Sequence, residues 1–289
     1  MKGICPITCK EDDIRKSHIF PKFMWRYLKR NGGTVFRSVE NPTKELQNGY
    51  VMDLLGSQAE LKFSKRELWF EHNIFTPYVN GELSSKKVLY TNDLFYFCVS
   101  LLWRVLYIHR DNVIGTRLKS ITKEALEDWR SFLNEEISVP ATFSNVYIMP
   151  ISSKILSLPD GIYDIDFYMK REFGDNIMTA TNSADSAVYC KFPRFIIWGQ
   201  LVREDKSINY GLRVFPEGGH LNFKKFHVGE GITRGYIIGK IKESVEMAEK
   251  ISNQLSDNVQ KTISNRIISN IDKIRNTEMG EILLERCFV

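Results

Sequence analysis

Between Leu94 and Ile108 the chain carries one charged residue, Arg104, among aromatic and aliphatic side chains. A segment of this kind predicts a helix over Asp93–His109 that is buried on all sides, so the remaining residues have to wrap it. Arg104 also breaks the run before it reaches the roughly 18 uncharged apolar residues that a membrane span needs, and no membrane partner is expected. With 289 residues, 43% of them hydrophobic, the chain is long enough for a sizeable core in one large or two small domains and too apolar for a disordered protein.

Local patterns around that helix give the other elements. A helix is expected to open near Pro21, with Phe23, Met24, Tyr27 and Leu28 on one stripe, and to stop at Asn31-Gly32-Gly33. A second starts near Ser57, with Leu61, Leu68 and Phe75 in register, and ends before Pro77. Residues 122–136 read as an amphipathic helix. From about 186 the pattern turns to strands, broken by Pro193, Asn209-Tyr210-Gly211 and Pro216-Glu217-Gly218-Gly219, which predicts a meander of three or four strands. From about 239, Ile241, Val245, Ala248, Ile251, Leu255, Val259, Ile263, Ile267, Ile271 and Ile274 recur at spacings of three and four. That is a long C-terminal helix or helix pair, able to cover the sheet or to hold a protein partner or a second copy.

The fold class expected is therefore α+β: a small N-terminal module over 1–80, then an α+β domain over 81–289. Five scattered cysteines argue against a disulfide framework and for a reducing compartment. The opening Met-Lys-Gly-Ile-Cys-Pro has no signal-peptide apolar region, so a cytoplasmic location is expected. The net charge of +5 is uneven: residues 1–90 hold fifteen Lys/Arg against ten Asp/Glu, and the rest of the chain is neutral. Lys22, Arg26, Lys29 and Arg30, with Lys65 and Arg66, are the candidate phosphate contacts, although such clusters also occur as solvated helix faces.

The most distinctive local pattern is Cys5-Pro-Ile-Thr-Cys9 followed by Ser17-His18-Ile19-Phe20-Pro21-Lys22-Phe23. A Cys pair, a short ribbon and a His just before a helix resembles the opening of the HNH endonuclease, or treble-clef, family with its ββα-metal site. The likeness extends to a bacterial group with HNH-like N-termini, through Lys62-Phe63-Ser64-Lys65-Arg66-Glu67, Trp69-Phe70, Asn73-Ile74-Phe75, Trp103-Arg104, Lys191-Phe192-Pro193 and Gly218-Gly219. The resemblance implies a metal-dependent phosphodiesterase using Mg2+ or Mn2+, with His18 as general base and Asn41, Glu60 and His72 as further metal or phosphate contacts. It also implies the setting in which HNH-like accessory proteins are found, antiviral defence.

The chain departs from that pattern in two places. Gly56-Ser57-Gln58-Ala59 stands where a second Cys-x-x-Cys would be, leaving Cys5 and Cys9 as half a site, so no structural zinc is expected. Ser17 replaces the metal-binding Asp commonly found before the His. Two readings stay open: a nuclease, or a protein that kept the scaffold and binds nucleic acid or an acidic partner without cutting it.

Other candidates have simpler explanations. Asp160, Asp164 and Asp166 with Lys170 read as a solvated acidic helix face, and Cys98 and Cys190 as packed hydrophobes. His220 and His227 fall on opposite strand faces, and His109 suits a helix C-terminus. Gly229-Glu230-Gly231 lacks the third glycine of a dinucleotide fingerprint. Arg104 reads as an architectural ion-pair partner, with phosphate recognition as the alternative.

Overall fold

The computed structural model describes residues 1–32, 36–37, 45–46, 49–83, 87–151, 169–179, 186–202, 212–223 and 232–287. Asn41, Asp160, Asp164, Asp166, His227 and Gly229–Gly231 lie outside them, as do the side chains of Val245, Ala248 and Ile251. The chain is α+β. It opens with strands β1 (Lys2–Ile4) and β2 (Glu11–His18), then helix α1 (Lys22–Arg30), a two-stranded ribbon of β3 (Phe36–Arg37) and β4 (Glu45–Leu46), strand β5 (Val51–Gly56) and helix α2 (Ser57–Phe70). β1, β2 and β5 form an antiparallel sheet in that order.

α1 begins and ends where the turn chemistry places it. Pro21 precedes it, and Gly32 ends it at φ +88. A side chain at Gly32 would also collide with Met279 and Thr277, so the position needs glycine both for its left-handed backbone and for a close approach. Phe23, Met24, Trp25 and Leu28 are its buried face.

The second expected helix does begin at Ser57, but its buried face differs. Ala59, Phe63 and Phe70 point inward, while Leu61 and Leu68 are 74% and 52% exposed. Both sets fit a helical repeat; the aromatic pair removes more surface from water, so it takes the core. Nor does the helix stop before Pro77. It continues as a π-helical turn over Glu71–Phe75 into α3 (Thr76–Val79), and Pro77 is accommodated just after the π turn.

After β6 (Lys87–Tyr90) comes the central helix α4 (Asn92–His109), capped by Thr91 and buried along nearly its whole length. It packs on α2, on α5 (Thr116–Leu133) and on the main sheet. α5 starts earlier than residue 122 because Leu118 already belongs to its buried stripe, and Thr122 lies buried within it. Phe70 stacks on Phe97 at 4.0 Å, so residues 1–80 and the chain after them share one apolar core.

The main sheet is β11 (Arg213–Val214), β7 (Val146–Pro150), β10 (Phe195–Val202), β9 (Ser186–Phe192) and β8 (Gly174–Thr179), all antiparallel in that order. This corrects the simple meander: β7 inserts between β10 and β11, and β12 (Gly219–Asn222) leaves the sheet to pair with β6. Alternation along the strands sends Ile148, Val188, Cys190 and Ile197 to the α4 side. Tyr147, Met149, Tyr189 and Trp198 go to a second core with Ile237 and Ile241. Gly199 is small because Leu102 and Trp129 press against it.

The C-terminal apolar repeat is not one continuous helix. The C-terminal part divides into α6 (Ile232–Gln254), α7 (Asp257–Ser269), α8 (Ile271–Ile274) and α9 (Glu278–Cys287). Ile241 and Ile274 are buried, but α7 buries none of its side chains and Ile268 and Ile271 are exposed. Among the described residues no helix is long and apolar enough to cross a membrane.

Candidate nucleic-acid interface

The Cys5–Cys9 segment forms the turn between β1 and β2. Cys5 N–H donates to the Lys10 carbonyl and Cys9 N–H to that of Cys5, with Cys9 at φ 54. Cys5 is buried in the core with Ile7 while Cys9 is exposed. The pair thus closes a hairpin through its backbone.

β2 carries a register shift between Arg15 and Lys16. Just beyond it Ser17 is buried, its hydroxyl accepting from Leu55 N–H at 3.0 Å and donating to the Arg15 carbonyl. Ser17 therefore ties β2 to β5. His18 ends β2 opposite Val51, half-buried. Its carbonyl accepts from Arg104 Nη1 at 2.8 Å, and Arg104 Nη2 meets Glu67 Oε1 at 2.9 Å. Arg104 also bonds the Ser100 carbonyl, so it is architectural, as the sequence suggested.

Glu67 is the acidic residue that the structure brings to the level of His18, and sequence reasoning did not single it out. Burial pushes its carboxyl above the usual range, with the Arg104 charge opposing and the charges of Glu60 and Glu71 adding to the rise. Glu60, Glu67 and Glu71 thus share one flank of the α2 helix and its π-helical extension. Their seven- and four-residue spacing is the signal that could have found them. Glu60 itself is half-buried in the first turn of α2, about 10 Å along the helix from Glu67 by helical rise, and His72 is exposed on the π turn. Among the described residues no three His, Cys, Asp or Glu groups are arranged to hold a metal ion. Among the described residues, Glu67 is bound to Arg104, and Cys5 is buried while Cys9 is exposed.

The basic candidates divide. Lys22, Arg26, Lys29 and Arg30 are all exposed on the face of α1 opposite its buried stripe. Arg26 also makes an ion pair with Glu71 at 2.9 Å. Lys65 is exposed on α2. Arg66 differs from them: it lies over the Tyr96 ring and pairs with Glu135 and Asp93, so it holds α2 to its neighbours. Its phase on α2, beside Phe63 and Phe70, dictates this.

α1 is fixed firmly at its C-terminal end. Arg171 donates to the carbonyls of Leu28 and Asn31, supplying partners that a helix terminus lacks. Tyr27 donates to Glu278, which also pairs with Arg194. Burial, then the Glu278 charge, raises the Tyr27 pKa, so the phenol keeps its proton.

His109, Cys98 and Cys190 fit structural roles. His109 meets Asp175 at 2.6 Å at the end of α4, and burial raises the pKa of both Cys98 and Cys190. Comparison with protein-family models, with curated proteins and with solved structures gives no match.

Proposed function

We propose that the protein binds nucleic acid, with α1 as its contact helix. The observation that carries this reading is the exposed stripe Lys22, Arg26, Lys29 and Arg30, set on a helix whose other face is packed and whose C-terminus is held by Arg171. A rigid row of cations favours a polyanion, because each phosphate neutralised releases condensed counterions. The stripe also has four members on one short helix, more than the one or two basic residues that complement a helix C-terminus.

Nuclease activity is the second reading. It is favoured by His18 at the end of β2, which pairs with β5 just before α2, although α1, β3 and β4 intervene between the two strands.

The test is fluorescence anisotropy with labelled DNA and RNA across a salt series, together with cleavage assays in Mg2+ and Mn2+. Binding should weaken steeply with salt, and Lys22→Ala with Lys29→Ala should reduce the log–log slope by about two, at roughly 0.9 per phosphate contact. An unchanged slope overturns the α1 reading. Metal-dependent cutting that His18→Ala abolishes would make the nuclease reading the correct one.

A further inference from the structure

A cleft of about 230 Å³ opens between the C-terminal half of α1 and the π turn with α3. Phe23 and Phe75 form its apolar floor, their rings 5.1 Å apart. Arg26 and Arg30 stand on one side, Glu71 and Asn80 on the other. The π turn that makes up much of the far wall is an uncommon element, found most often at functional sites.

The volume is below the roughly 300–1,000 Å³ of sites that take drug-sized ligands, and so suits one heterocycle. The lining is that of a base site: an apolar floor, side-chain amide and carboxylate groups at its edge, and guanidinium groups at the mouth. Arg26 and Arg30 belong to both the cleft and the basic stripe, so a strand tracking the stripe passes the opening. Arg26 Nη2 lies 3.2 and 2.9 Å from the two Glu71 oxygens, and since a carboxylate has about four acceptor positions, Glu71 can still accept from another donor.

We propose that the cleft receives one unstacked base of a single-stranded nucleic acid whose backbone follows α1, with Glu71 accepting from the exocyclic amino group of that base. The proposal rests on the binding reading above and names its substrate class. Cytosine has such an amino group and thymine has none, so the cleft distinguishes them.

The test compares full-length protein binding to labelled oligo-dC and oligo-dT of equal length at neutral pH. The two carry the same phosphate charge, so the counterion contribution cancels. Oligo-dC should bind about tenfold more tightly, the scale of one base-edge contact. Glu71→Leu, which leaves no acceptor at that position, should erase the preference without weakening oligo-dT binding, because Arg26 is released toward the strand. Thr76→Trp, at an exposed position on the rim, should fill the opening and also remove the preference. Equal affinity for the two strands, or a preference that survives both variants, overturns the cleft proposal. Failure to bind either strand at low salt overturns the cleft proposal, and if a DNA duplex and an RNA oligonucleotide also fail to bind, it overturns the binding reading itself.

Discussion

Arg104 is the one charge in the most apolar helix, and its guanidinium connects three elements through Glu67, the His18 carbonyl and the Ser100 carbonyl. Removing it strands Glu67 in a largely buried site. Arg104→Met should cost about 3–5 kcal/mol in urea denaturation, and adding Glu67→Leu should restore much of that loss. A single variant as stable as the wild type would show that the pair carries no weight. Lys191 makes a second residue-scale case. Burial pulls its pKa down from 10.5 to about 7, while its ammonium nitrogen reaches the Glu172 carbonyl at 2.7 Å. Between those two values the unfolded chain binds more protons than the folded one, so stability should rise with pH across that window. Below about pH 7 both states are protonated and the full burial penalty applies. The slope from this residue can reach about 1.4 kcal/mol per pH unit. Lys191→Met should flatten the profile; equal slopes in the two proteins would refute the assignment. The sequence marks Arg104 as unusual but not its partner, because Glu67 lies on another helix.

Helices show the same division between local and distant causes. Thr91 caps α4, its hydroxyl accepting from Asp93 N–H at 3.3 Å, whereas Ser256 before α7 makes no side-chain cap bond. Thr91→Ala should therefore cost about 1 kcal/mol and Ser256→Ala close to none, by the same denaturation measurement. The start of α1, the start of α2 and the extent of α4 were legible, since proline, turn residues and apolar runs act within a few positions. The buried face of α2 was not, because Leu61–Leu68 and Phe63–Phe70 have the same spacing and only the packing against α4 chooses between them. The break between α6 and α7 was equally hidden, since the apolar repeat runs through it.

At the scale of the molecule, Glu278 brings the C-terminal α9 to α1. It contacts Tyr27, Arg194 and, at 3.9 Å, Arg171, the residue that also caps α1. Glu278→Ala should leave two largely buried guanidinium groups without their carboxylate, lowering stability by about 3–5 kcal/mol and speeding amide exchange over Tyr27–Asn31. If neither changes, α1 is held without α9.

The sequence by itself determined the α+β class, the buried central helix, the basic face of α1 and the absence of a second Cys pair. Each follows from residue type and from spacing over a few positions, where helix geometry and burial leave little choice. Tertiary structure alone decided that β7 enters the sheet between β10 and β11 and that Arg66 turns inward to Tyr96 and Glu135. It also decided that Glu67 reaches Arg104 beside His18, and that a cleft opens between α1 and the π turn. Those outcomes depend on contacts between residues far apart in the chain, whose energies come from desolvation and packing that exist only once the elements have met.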